Sequence, residues 1–357
     1  MTSIHSDVVI IGRGIAGLCL SVLLQRKGIE HFLVAREMQQ KVMALAETLP
    51  PSALAMIQQL GLREVFEESA LEKTLGYHSL WGSSTVQDIN FYFQRPYNYG
   101  LKLDKQLLLN NLEDGLDSRR ILQCEDWCWK QENRCIQVTS AGKVFDVQGR
   151  VFVDATGRKK ALLRKLGIGS TVHDQQIAFS CHLPRIRHPK IKHGVFTEAF
   201  TGGWGIVSSL DQRTNVMTLY AEKGSPQSLK MREYYHWPTL LSETQILQAF
   251  LAAEVGSSPL VSAANSICSN EIAGSDWLAL GDAAIAFDPL SSHGITNAVY
   301  TAWQAAEAIK ERLGSDSDLA LGVYSEKLRK IFGAYLATRQ RFHNVVSVDG
   351  LRSAKNI

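Results

Sequence analysis

Gly12-Arg13-Gly14-Ile15-Ala16-Gly17 follows the β-branched run Asp7–Ile11 and opens the apolar stretch from Leu18 to Arg26. This spacing suits one task, bringing main-chain N–H groups to a diphosphate. Gly12 permits a tight turn, Gly14 lets the backbone approach a pyrophosphate, and Gly17 lets helix pack on strand. The N-terminus of the helix that begins at Leu18, after Ile15, Ala16 and Gly17 of the loop, would direct unpaired N–H groups and its positive dipole end at the phosphates. An acidic residue is expected at the end of the second strand to hold a ribose. Counting from Gly17, that position is Ala35, 18 residues on, with Arg36 and Glu37 behind it. Either the strand end is shifted and Glu37 takes the role, or ribose recognition is weakened. A similar unit stands near the other end of the chain, where "WLALGD" ends in Gly281-Asp282 and "FDPLSSHGIT" carries Pro289, His293, Gly294 and Ile295 into a helix. Between them, "RVFVDATGR" is a strand that ends in Asp154-Ala-Thr-Gly157.

These motifs need strands to carry them. "HFLVA" supplies the second strand of an opening βαβ unit, and a helix runs from Pro50 to Gly61, with Thr48 as a plausible cap. Residues 72–101 read as an aromatic, loop-like region, and "LKLDKQLLLNNLEDGL" as a helix. Short strands recur over 121–154, and strand-like runs alternate with turns over 175–270, with a hairpin at Asp211–Thr214. Two helices close the chain at 294–312 and 318–344. The pattern predicts a mixed α/β fold: a discontinuous Rossmann-like domain of residues 1–174 and 271–357, with a β-sheet substrate domain, 175–270, inserted into it.

Composition narrows the function. The 357 residues suit two joined domains, and a net charge of +3 with 20% charged residues gives no reason to expect nucleic acid. Cys19, Cys124, Cys128, Cys135, Cys181 and Cys268 form neither a disulfide framework nor a metal-ligand spacing, so a reducing, cytoplasmic setting without a metal is expected. Val8–Ile11 reads as a strand rather than a signal core, and no run approaches the ~20 apolar residues of a membrane span.

The set of Gly12-x-Gly14-x-x-Gly17, Asp154-Ala-Thr-Gly157 and Gly281-Asp282-Ala-Ala with Pro289 and Gly294 resembles the FAD-dependent monooxygenase and halogenase superfamily, of the para-hydroxybenzoate hydroxylase type of fold. The resemblance implies FAD as cofactor, with Asp282 at the ribityl hydroxyls and the 291–295 turn, Gly294 and Ile295 included, at the pyrimidine edge of the flavin. Lys105, in "LDK" where many relatives have Leu-Asp-Arg, would either face the cofactor or be a solvated helix lysine. A narrower similarity lies in "AETLPPSALAMIQQLGL", "GYHSLWGSS" and "FDPLSSHGIT", which resemble the halogenase-related LodB and GoxB type of flavoprotein. Members of that group modify a tryptophan within a partner polypeptide so that tryptophylquinone can form. The similarity implies a quinone-containing oxidase precursor as protein substrate, dioxygen, and an external reductant.

Hydroxylating an indole calls for aromatic walls and a polar group that orients the ring nitrogen or moves a proton. Glu47, His78 and His293 are the candidate polar groups, and Trp81 and Trp204 the candidate walls. Each has a plainer reading: Glu47 as a helix-terminal carboxylate, His78 and Trp81 as packing under a loop, Trp204 as sheet filling, His293 as a turn residue. The Trp-x-Trp-x-Ile-Pro motif of flavin-dependent halogenases is missing; "WCWK" at 127–130 has two tryptophans but lacks Ile-Pro. Two alternatives stay open, an FAD enzyme acting on a small aromatic or prenyl substrate and a non-catalytic flavoprotein chaperone. The basic run "RIRHPKIKH" at 185–193 reads either as a solvated loop or as a docking surface for an acidic partner.

Overall fold

The computed structural model describes residues 2–36, 43–189, 194–253, 255–315 and 317–353. At its centre the strand Thr2–Ile11 pairs in parallel with His31–Arg36 on one side and Lys143–Asp154 on the other. His31–Arg36 pairs onward with Ile121–Cys124. The long strand Lys143–Asp154 divides its outer edge. Its first half pairs antiparallel with Cys135–Ser140, which pairs onward with Asp126–Lys130, and its last residues take Trp277–Ala279 in parallel. Val8 to Ile11 are buried to 1% exposure or less, the signature of a parallel strand covered on both faces. One cover is the helix Ile15–Arg26, which packs against the helix Gly294–Ser315.

A second sheet has the order Leu260–Ala263, Gln176–Pro184, Thr214–Glu222, Gly203–Ser209, Val195–Phe200, Gly76–Leu80, Gln87–Asn90. The hairpin around Asp211–Thr214 joins two of its strands. Its last two strands come from the stretch read as loop-like in the sequence, where glycine, serine and asparagine obscure two short strands at the sheet's edge. Phe179, Phe196, Met217, Leu219 and Trp237 form a separate core beneath it.

Two three-stranded sheets link these layers. In one, Glu47–Leu49 pairs with Gly100–Leu103, which also pairs with Ala70–Thr74. Thr48 is therefore a strand residue, and the helix Pro51–Gln59 begins at Pro50 without a side-chain cap. In the other, Ser170–Val172, Ile267–Ser269 and Ile285–Ala286 join. The closing helix, Leu319–Ser353, packs along Gly294–Ser315. Among the described residues no helix is long and apolar enough to cross a membrane.

Candidate flavin and substrate site

Strand register brings the three glycine motifs together. Ile11 pairs with Asp154, and Asp154 with Ala279, so the loops after three adjacent parallel strands leave from one edge at their C-terminal ends. That edge is where open α/β sheets take ligands. A Cβ on Gly12, whose φ is +119°, would lie 2.4 Å from the Ala155 carbonyl oxygen, and one on Gly17 only 2.0 Å from the Gly12 carbonyl oxygen. These two glycines are demanded by the protein's own packing. Gly14 is different: an added Cβ would meet no atom within 4 Å. The middle glycine thus faces open space at the start of a helix, the cradle a diphosphate needs. Gly281, at φ +56°, sits against this loop, its added Cβ 3.0 Å from that of Ala16.

Asp154 is fully buried, and its carboxylate accepts from Thr156 N and Oγ1 and from Leu162 and Leu163 N. It fixes the loop that carries Gly157, so its carboxylate serves the turn instead of facing the crevice. Arg158, which sequence reading passed over, reaches Asp282 at 3.4 Å and donates to the carbonyls of Asn265 and Phe287. Its place directly after the Asp154 motif was its one signal. Asp282 in turn lies in the field of Arg158, Lys105 and Glu47. Burial raises its carboxyl above the usual range, and the two cations pull it back. Lys105 donates to Glu47 Oε1 at 2.9 Å, and the Glu47 carboxylate holds its ammonium above the ordinary lysine range. The second oxygen, Glu47 Oε2, is buried with no hydrogen-bond partner among the described residues.

The later loop is a tight turn. Asp288 Oδ1 accepts from Leu290 N, Pro289 to Ser291 form a short 3-10 segment, and Ser292 takes a left-handed φ of 51°. His293 is exposed, and its carbonyl accepts the first helical bond, from Asn297 N at 2.7 Å. Gly294 has open space about it and Ile295 is buried. The first-turn N–H groups of a helix have no intrahelical acceptors, so this turn offers donors beside Asp282.

Leu290 of this turn packs on an aromatic cluster from the second sheet. Trp204 stacks on Tyr220 at 3.9 Å between centroids, Trp81 meets Trp204 edge-on at 5.9 Å, and Leu290 lies against them. Trp204 Nε1 donates to Gln176 Oε1 and Trp81 Nε1 to the Phe342 carbonyl. Tyr220 is buried, and burial first, then the nearby Asp288 and Glu47 carboxylates, raise its hydroxyl above the ordinary tyrosine range. Tyr220 and Gln176 were not visible as site residues, since neither belongs to a local motif. His78 is brought elsewhere: it is buried on Gly76–Leu80, facing Asp88 at 4.0 Å. Arg36 donates to the Glu125 carbonyl and pairs with Asp126. Glu37 lies outside the described residues, as do Lys190 to His193 of the basic run. Among the described residues no group of three or more His, Cys, Asp or Glu is placed to hold a metal.

The family described as "FAD binding domain" matches residues 5–336. The FAD-dependent oxidoreductase LodB of Marinomonas mediterranea is 25% identical over 94% of this chain and 92% of its own length. Among solved structures, the flavin-dependent halogenase CmlS superposes with a TM-score of 0.81 at 21% identity over 97% of this chain, which spans 66% of that protein. QhpG, a peptidyl tryptophan dihydroxylase essential for tryptophylquinone cofactor biogenesis, superposes with a TM-score of 0.69 at 19% identity, over 96% of this chain and 76% of its own.

Proposed function

The chain belongs to the FAD binding domain family, and from that premise we propose that it is a flavoprotein monooxygenase acting on a tryptophan side chain of a partner precursor protein during tryptophylquinone biogenesis. The observation that carries this reading is the aromatic wall of Trp81, Trp204 and Tyr220 against Leu290 of the turn that would meet the flavin. An indole would rest there edge-on or stacked, in a site whose neighbouring carboxylate, Glu47, retains an unused oxygen. LodB and the tryptophan dihydroxylase QhpG support the same reading.

The main-chain N–H groups that follow Gly12, from Arg13 to Gly17, would hold the diphosphate, Asp282 and Lys105 the ribityl chain, and the turn from Pro289 to Ile295 the pyrimidine edge; the Gly12 N–H itself is given to the Val34 carbonyl. Arg36 would stand toward the adenosine end. When bound and reduced, FAD supplies activation of dioxygen. One oxygen atom would then go to the indole and the other to water, with both electrons drawn from the external reductant. Glu47 would accept the indole N–H and Tyr220 would hold the ring plane; His293, exposed just before the helix Gly294–Ser315, would meet the incoming substrate. His78 would support the sheet from behind, since it faces Asp88.

The test is to incubate the FAD-loaded protein with reductant, dioxygen and a precursor of a quinone-containing oxidase, then weigh the precursor's tryptophan-bearing peptides. Added oxygen on tryptophan supports the reading. Unchanged precursor together with oxidation of small free aromatics overturns it.

A further inference from the structure

Asp288 is 1% exposed, and both its oxygens are engaged. Oδ1 caps the flavin-side turn through Leu290 N at 2.9 Å. Oδ2 faces the closing helix, accepting from Arg339 Nε at 3.0 Å and lying 2.9 Å from His343 Nε2. Arg339 also reaches Asp174 at 3.3 Å. One turn earlier on the same helix, the Tyr335 hydroxyl accepts from Asp288 N at 2.7 Å and shares a hydrogen bond with Ser266 Oγ. The Phe342 carbonyl takes the indole N–H of Trp81, whose ring meets His343 edge-on at 5.9 Å. The turn closes on Asp288 itself: Ser291 N and Oγ both donate to the Asp288 carbonyl, at 3.0 and 2.8 Å, and Ser292 N to the Pro289 carbonyl at 3.0 Å. Here its buried anchor is tied to a helix 51 residues later in the chain.

We propose that Asp288, Arg339 and His343 are positioning residues, through which the closing helix fixes the Pro289–Ile295 turn in the conformation that receives the flavin. The proposal rests on placing the flavin edge against this turn. Asp288 carries the link because its carboxylate is shared by the turn's cap and the helix, with its own N–H given to Tyr335 of the same helix. Arg339 and His343 hold Oδ2, which aims Oδ1 at Leu290 N. Charge-assisted hydrogen bonds of this kind are about twice as strong as neutral ones, and buried ones transmit their geometry to neighbouring backbone. With one partner removed, the carboxylate turns and the turn's N–H groups lose their alignment before any ligand arrives.

The experiment uses the full chain reconstituted with FAD. Binding is followed by quenching of flavin fluorescence, and the bound flavin's surroundings by its visible circular dichroism. His343→Gln and Arg339→Gln should each raise the Kd for FAD by about three- to tenfold, as expected for one such bond, and alter the visible signal. Asp288→Asn should do the same, and Asp288→Asn with His343→Gln should be no weaker than Asp288→Asn alone, since coupled residues do not add. Lys330→Gln, an exposed position of the same helix, is the control. Wild-type Kd and visible signal in these variants, with only a lowered melting temperature, would overturn the proposal, as would fully multiplicative losses. If Asp288→Asn does not fold, the two single helix variants decide by the same readouts. Asp282→Ala separates the two ideas: unchanged affinity there removes the flavin from this loop altogether, whereas lost affinity there with silent helix variants removes the latch alone.

Discussion

Gly14→Asp should have opposite effects on the apoprotein and on flavin binding. Gly14 is the N-cap of the helix Ile15–Arg26, with φ −83° and ψ 175°, and no side chain caps that helix. Those angles suit any residue, and an added Cβ meets nothing within 4 Å. Aspartate is among the best N-caps and complements the helix dipole, so the apoprotein should be unchanged or more stable by a few tenths of a kcal/mol, about the margin over glycine. The same carboxylate would project toward the diphosphate. Two unit charges about 4 Å apart repel by about 4 kcal/mol at an effective dielectric near 20. Halved for solvent, about 2 kcal/mol remains, roughly a thirtyfold loss of FAD affinity. Gly17→Ala should behave in the reverse manner. Its Cβ would lie 2.0 Å from the Gly12 carbonyl oxygen, a rigid backbone atom, so the fold itself should lose about 1–3 kcal/mol. Thermal melts of the apoproteins and fluorescence titrations with FAD measure both effects. A Gly14→Asp protein that melts like wild type and binds FAD with wild-type affinity would refute the reasoning that this loop cradles the diphosphate.

Lys102 is fully buried against Glu72 at 2.6 Å and Ser209, and burial lowers its ammonium below the ordinary lysine range. Glu72→Gln should cost about 1–3 kcal/mol at neutral pH, less than for a fully buried pair because the Glu72 side chain is 44% exposed. A base with a lowered folded pKa loses stability as pH falls through that value, so denaturant melts should show this cost shrinking as pH rises toward the lysine range. Burial raises Asp282, so its ionisation costs the apoprotein stability as pH rises through the folded value. Asp282→Asn should therefore raise the apoprotein's melting temperature at neutral pH, and the gain should vanish at about pH 3–4, below the unfolded carboxylate's pKa. Trp204→Phe keeps an aromatic ring on Tyr220 but leaves the buried Gln176 Oε1 without its donor, a loss of about 1–3 kcal/mol measurable by denaturant melts. Glu47→Gln, tested in steady-state turnover on a tryptophan-bearing substrate, should raise KM several-fold and break the ion pair to Lys105; unchanged KM and kcat would place the indole acceptor elsewhere.

The glycine loops were legible because their requirements are local. A strand, a glycine spacing and a helix start together state what the backbone must do, and Gly12, Gly17 and Gly281 are each met by close neighbours. The sheet at 175–270 was legible from alternation and its hairpin. What escaped was long-range. Gly76–Leu80 and Gln87–Asn90 become strands only by pairing beside Val195–Phe200, more than 100 residues later in the chain. Glu47 was singled out, but the partner that orients it, Lys105, comes from a different element 58 residues away. Arg339 and His343 sit on the closing helix, Leu319–Ser353, and belong to none of the motifs read from the sequence. Their meaning depends on Asp288, which no period or motif links to them.

The aromatic wall narrows what it can recognise. Both of its indole N–H groups are already given to protein acceptors, Trp204 to Gln176 and Trp81 to the Phe342 carbonyl. The wall therefore offers a ligand ring faces and edges and no free donor from its tryptophans. A hydroxylated aromatic that must accept a hydrogen bond would find little there. An indole brings its own donor and needs an acceptor nearby, which the unpartnered Glu47 oxygen supplies. The tryptophans that sequence proximity would have paired, Trp127 and Trp129, are engaged elsewhere. They lie on Asp126–Lys130 at the edge of the first sheet, one beneath Lys165 and the other against Phe152 and Arg134. The two that meet, Trp204 on Gly203–Ser209 and Trp81 just after Gly76–Leu80, are joined only by the fold, on the side of the sheet where Leu290 packs. On the proposed reading, that place serves a presented indole.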